Sequence, residues 1–422
     1  MTVGLQTDEP RARRPAAPAA PPRRSAASGH VAVVDGFRGF CALMVILPHC
    51  WLAAGIPLLD DGPLRALICV GGFGVDYFFV ISGFVLFLPV VRHAGDFGRV
   101  GSYAIRRAAR IVPAYYVSLA GLVALYPLLT GQPSLLSNLG DLMTLGIHLL
   151  FLQHEVPDWL RAAIGATPGV GFGLNNALWS LSIEVIFYAV LPFVAGLYYR
   201  RPLAGLAAAV VGTLVWRALA FHAPSMASLA GVSPGAAAVR PRLLTEFPGY
   251  AGHFALGMTT AWLFTRPSAR RFGTTAVAIQ AGSLVTLIVS MVIAGGYALT
   301  KSYPSLYARY FWDLVPTASF AAFLLSSALA PDWAQWPWSN PVSRWLGAVS
   351  YGTYLWHSLM IWVLMSALDL TPDSHASTFM KLVATVTPTA LLLGWLSHRF
   401  IETPAIRWSH ARSARWQAEA GR

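Results

Sequence analysis

Apolar runs close to the length that crosses a bilayer recur along this chain, near 32–53, 74–91, 111–130, 179–199, 203–221, 246–265, 274–298, 311–330, 345–366 and 379–400. A helix needs about 20 apolar residues to span the hydrocarbon, where every backbone N–H and C=O must be paired within the protein. The pattern therefore predicts an all-α fold, a polytopic transmembrane helix bundle of about ten spans. Composition agrees: 56% of the residues are hydrophobic and 11% charged, against about 25% charged in ordinary soluble domains. The run around 141–153 is too short for a confident span and is read as an interfacial helix.

The net charge of +12 is explained by topology. With ten spans and the N-terminus in the cytosol, the inner segments collect about 21 basic residues and the outer ones about seven, as the positive-inside rule requires. Both termini are then cytosolic, and a nucleic-acid partner is not expected. Residues 1–30 read as a flexible basic Pro/Ala-rich cytosolic tail without the apolar core of a signal peptide. The membrane domain covers 31–408, and 409–422 reads as a second basic cytosolic tail. The three cysteines, Cys41, Cys50 and Cys69, lack C-x-x-C spacing, so they read as packing residues and no metal site is expected.

Polar residues inside such spans need a reason, because intramembrane ionisable groups are expensive and mark function by default. The segment VVDGFRGFCALMVILPHC (33–50) carries Arg38 and His49 eleven residues apart. That is close to three helical turns, so both project from nearly one face, roughly 16 Å apart along the axis. Histidine titrates near neutral pH and can act as a general base toward a hydroxyl. The plainer account is that Arg38 snorkels to the inner interface and His49 is a hydrogen-bonded interior residue. No G-x-S-x-G or H-E-x-x-H motif accompanies them.

Arg107 and Arg110, in SYAIRRAARIVPAYY (102–116), are three apart and share a helix face at the cytosolic boundary. Their planar forks match phosphate oxygens, and they would equally serve as an anchor on lipid headgroups. In GGFGVDYFFVISGFVLF (71–87), Asp76 suits the start of a helix, while Ser82 and Gly83 permit close backbone approach. Glu184, in LWSLSIEVIFYAVLP (178–192), lies inside a span with Ser180 and Tyr188 a turn to either side, and calls for an Arg or His partner from another helix. His357, with Tyr354 a turn earlier, reads as a satisfied interior histidine. Glu402, in HRFIETP (398–404), reads as a salt bridge to the cytosolic arginines.

Taken together, these stretches resemble acyltransferase family 3, the membrane proteins that include O-acetyltransferases of bacterial surface polysaccharides and macrolide O-acyltransferases. The resemblance runs from about residue 31 to 408. It rests on Asp35-Gly36-Phe37-Arg38-Gly39 with the Arg38 to His49 spacing, and on Phe78, Phe79, Ser82 and Gly83. It rests further on Arg107 and Arg110 followed by Ile-x-Pro, on Trp179 to Glu184, and on the closing segments that end at His357 and Pro404. The resemblance implies transfer of an acyl group, usually acetyl, from cytosolic acyl-CoA to a hydroxyl of a carbohydrate, lipid-linked sugar or natural product. His49 would be the catalytic base, with Arg38, Arg107 and Arg110 binding or positioning the CoA thioester. Ser82 is counted with the donor-binding residues and Glu184 with the catalytic ones. The extracytoplasmic SGNH-type domain of some polysaccharide-modifying members is missing from this sequence. An Ala-rich, Arg-over-Lys composition suggests a GC-rich bacterial genome, and hence a bacterial plasma membrane among whose lipids the chain sits.

Two other readings fit buried His and Glu. A proton-coupled transporter would move a small solute down a pH gradient without consuming CoA. A scaffold whose polar residues fix helix register would lose abundance, not chemistry, on losing His49.

Overall fold

The computed structural model describes residues 31–55, 68, 70–154, 156, 158–166, 175–229, 243–267, 273–299, 310–372 and 375–420. Cys69 and the 1–30 tail lie outside these residues. The described residues form helices and turns, without strands. In chain order the helices are α1 (Ala32–Ala53), α2 (Phe73–Arg92), α3 (Val100–Thr130), α4 (Leu139–Leu149), α5 (Asp158–Ala163), α6 (Trp179–Arg200) and α7 (Pro202–Leu229). There follow α8 (Ala251–Phe264), α9 (Gly273–Leu299), α10 (Leu314–Leu329), α11 (Asp332–Ser339), α12 (Pro341–Ala367), α13 (Ala376–Ser397) and α14 (Thr403–Ala420).

All ten expected segments are helical over most of their length. Eight helical stretches among the described residues are both long and apolar enough to cross a membrane. The other two of the ten expected segments are α8, 14 residues long behind a 3-10 turn at Phe247–Tyr250, and α12, 27 residues long. Ser350, Tyr351, Thr353 and His357 dilute the apolar run of α12 and are all buried. That helix packs against α1 and α13, with further contacts to α3 and α11, so its polar groups meet protein where an outer helix would meet lipid. Helices α6 and α9 show the opposite pattern, with Phe193, Leu197 and Val285 turned outward. The short α4 has 11 residues, about 16 Å at 1.5 Å per residue, roughly half the hydrocarbon thickness.

Glycines let the central helices approach backbone to backbone. A Cβ on Gly83 of α2 would strike the Phe254 carbonyl of α8, and one on Gly257 of α8 would strike the Val80 carbonyl of α2. Between α1 and α12 the same holds for Gly36 against Trp338 just ahead of α12, and for Gly347 against the Asp35 carbonyl. Lipid tails are as apolar as leucine, so packing of this kind drives association inside a bilayer. Gly83, expected from sequence to serve packing, does so. Gly257→Leu should lower thermal stability in detergent by about 1–3 kcal/mol. Gly212→Leu, where nothing lies within 4 Å of the added Cβ, should not; equal melting temperatures for the two variants would refute this account.

Candidate active site

Five of the six residues for which the sequence suggests a catalytic or donor-binding role line one cavity of about 160 Å³: Arg38 from α1, Ser82 from α2, Arg107 and Arg110 from α3, and Glu184 from α6. Residues as far apart in sequence as Arg38 and Tyr354 are brought there because α1, α2, α3, α6 and α12 all border it. The helix period puts Arg107 and Arg110 on the inner face of α3. Tyr351 of α12 ties that face to the neighbouring helix by donating to the Ile111 carbonyl at 2.8 Å.

Glu184 is held by hydroxyls. Ser82 Oγ donates to its Oε1 at 2.7 Å and Tyr188 OH donates to the same oxygen at 2.6 Å. Expectation and structure differ here: no Arg or His nitrogen lies within ion-pair distance of Glu184 among the described residues, although three guanidiniums share its cavity. Ser180 turns instead to Tyr354 OH at 2.6 Å, and Tyr354 OH also lies 2.7 Å from the Ala177 carbonyl. The segment before α6 is itself anchored. Arg161, fully buried, donates to the Gln153 carbonyl at 2.7 Å, and Gln153 donates to the Leu178 carbonyl at 3.2 Å, fixing where α6 begins.

The cavity is electrostatically one-sided. Three arginines and one carboxylate line it, and Nε of Arg107 is buried without a hydrogen-bond partner. A site with surplus fixed positive charge and unused N–H donors suits a polyanion such as a phosphate ester.

His49 is not part of this lining. It sits farther along α1 with its ring centroid 4.9 Å from that of His357 on α12, in an edge-on arrangement. Its Nδ1 is 2.7 Å from the Val45 carbonyl. A carbonyl only accepts, so Nδ1 carries the proton and Nε2 of the neutral ring holds the lone pair a general base needs. The His49 side chain is partly buried.

A second buried polar group was not foreseen. His253 Nε2 of α8 lies 3.7 Å from Asp76 Oδ1 of α2 and 3.7 Å from Asp313 Oδ2 at the start of α10. Asp313 Oδ1 pairs with Arg217 of α7 at 2.5 Å, and that guanidinium also donates to the Tyr310 carbonyl. Arg217 and a protonated His253 would each offset carboxylate charge in this cluster, which is how buried charges are tolerated. Asp76 therefore turns inward rather than capping α2, whose N-cap Gly72 has no side-chain bond. The sequence did carry a signal: Arg217, His253 and Asp313 each interrupt an apolar run. Glu402 also departs from expectation. In a π-helical turn at His398–Glu402 its carboxylate accepts from Ser397 Oγ at 3.0 Å and lies 3.7 Å from His398 Nδ1. It has no arginine partner among the described residues.

A polytopic helical membrane protein with a basic, phosphate-suited cavity, and a partly buried histidine farther along one of the helices that line it, is the class these features define. The chain belongs to the acyltransferase family: the family model described as "Acyltransferase domain" matches residues 31–398. It is similar to the peptidoglycan O-acetyltransferase OatA of Listeria monocytogenes, 25% identical over 89% of this chain and 56% of that protein. It is also similar to nodulation protein 10 of Rhizobium leguminosarum bv. viciae, 28% identical over 48% of this chain and 54% of that protein. The chain thus spans little more than half the length of these curated relatives. No solved structure matches it.

Proposed function

We propose that the chain is an integral membrane O-acyltransferase, moving an acyl group, acetyl by preference, from cytosolic acyl-CoA to a hydroxyl of a glycan. The observation that carries this reading is the convergence of Arg38, Arg107 and Arg110 on a cavity with a single carboxylate. These arginines would hold the phosphates of CoA, with Ser82 and Tyr188 keeping Glu184 in place among them. On this reading the arginine end faces the cytosol, both termini are cytosolic, and the membrane is a bacterial plasma membrane. The domain would extend over 31–408. Similarity to OatA supports a surface polymer as acceptor, and a lipid-linked sugar or natural product has the same reactive group.

His49, three turns along α1 from Arg38, would meet the thioester at the far end of the pantetheine arm. It would take the proton from the acceptor hydroxyl as oxygen attacks the acyl carbonyl. The C–S bond then breaks, and the proton returns to the departing thiolate, giving ester and CoA thiol.

The test is label transfer from acetyl-CoA by purified protein in nanodiscs offered a hydroxylated glycan extract. Arg107→Ala should raise KM for acetyl-CoA by about 10–100-fold, the loss of one charge-assisted contact, and leave kcat less affected. Solute flux driven by a pH gradient without CoA release would sink the acyltransferase reading in favour of transport.

A further inference from the structure

His357 is the one histidine of the site region that nothing so far employs. It is fully buried on α12, and its Nδ1 is 2.6 Å from the Tyr354 carbonyl. As for His49, that contact fixes the proton on Nδ1 and leaves the lone pair on Nε2. Nε2 of His357 is buried with no hydrogen-bond partner. An unsatisfied buried acceptor is uncommon and asks for a reason. The nearest ring on another helix that holds a matching lone pair is His49, at 4.9 Å between centroids. Two neutral imidazoles whose Nε2 atoms both carry lone pairs cannot hydrogen-bond to each other through those atoms. They gain a strong hydrogen bond as soon as one of them takes up a proton.

We propose that His357 is the positioning residue for acyl transfer, accepting a hydrogen bond from His49 when His49 becomes protonated. This rests on the reading of His49 as base. The proton leaves the acceptor hydroxyl for His49 Nε2 as the O–C bond forms. His49 turns this N–H toward Nε2 of His357, so one proton is held between two rings. It then passes back to the thiolate when the C–S bond breaks, and both imidazoles return to neutral. His357 is fully buried and His49 only partly so, and on this proposal His357 acts through His49 alone. Its burial keeps water from competing for the proton. The path from the basic cavity runs the same way: Tyr354 lines the cavity, and its ring lies 5.5 Å from that of His357.

The experiment is steady-state kinetics on full-length protein in nanodiscs, with acetyl-CoA and a hydroxylated glycan acceptor, for His357→Gln, His357→Ala and His49→Ala. His357→Gln, close in size and still polar, should lower kcat by about 10–100-fold, the range for a partner that orients a reacting group. KM for acetyl-CoA should not change. Imidazole in the buffer should restore activity to His357→Ala, while thiazole, of the same shape but a far weaker base, should not. Equal rescue by both would assign His357 a space-filling role, and a wild-type kcat in His357→Gln would also overturn the proposal. Failure of the underlying reading looks different: His49→Ala itself would then remain active. If the alanine variant does not fold, the kcat and KM of the glutamine variant decide.

Discussion

Replacing His49 by alanine is expected to cut acetyl-CoA turnover by about 10²–10⁴-fold, the usual contribution of a positioned general base. The expectation is specific because the structure gives the ring little to do for the fold. Its hydrogen bond goes to the Val45 carbonyl one turn back on its own helix, and its ring contact is with His357. The first stays within α1, and the second meets α12 through ring edges without the backbone-to-backbone approach of the glycine contacts. Melting temperature and donor affinity should therefore stay near wild type while product formation collapses. A variant that unfolds instead would support the scaffold reading, and one that turns over normally would remove His49 from the chemistry.

Arg217→Leu should have the opposite signature, with stability lost before chemistry. The guanidinium is buried, pairs with Asp313 and lies 5.5 Å from the Tyr250 ring centroid. Removing it takes from Asp313 the guanidinium paired with its Oδ1. Breaking a buried pair from one side costs about 3–5 kcal/mol, whereas replacing both partners by apolar groups is often neutral. Thermal unfolding in detergent should show a large drop for Arg217→Leu and partial recovery in Arg217→Leu/Asp313→Leu. If the double variant is no more stable than the single one, the network is not held together by charge balance.

Much of the site was legible because helix geometry converts sequence spacing into direction. Arg38 with His49, and Arg107 with Arg110, could be placed on common faces from residue counts alone. Their convergence with Glu184 on one cavity could not, since no spacing rule relates α1, α3 and α6. The partners of polar groups were the weakest part for the same reason. Glu184 was expected to need a cation and found Ser82 and Tyr188, and Glu402 found Ser397 and His398 in a turn with π-helical bonding. Asp76 looked like a helix cap because His253 lies 177 residues away in sequence. Arg217, His253 and Asp313 were passed over because each lies in or beside a hydrophobic run that reads convincingly as a span. A rule that intramembrane charges must come in compensating sets would have found them together. The short helix α4 was identified by length, and the close contact at Gly83 by residue type.

Placing Arg38 and His49 on one continuous helix makes α1 a ruler. Loops can rearrange and neighbouring helices can tilt, yet the backbone spacing between the two residues is set by the rise of a single helix. If the phosphates rest at one graduation and the reaction occurs at another, the protein selects its donor by length as well as by charge. A nucleotide fragment carrying the phosphates but no arm would fill the basic end without reaction, and an acylated arm without phosphates would arrive with nothing to hold it. Occupancy and turnover would then be separable properties, and the unreactive half-molecule would be the natural starting point for an inhibitor.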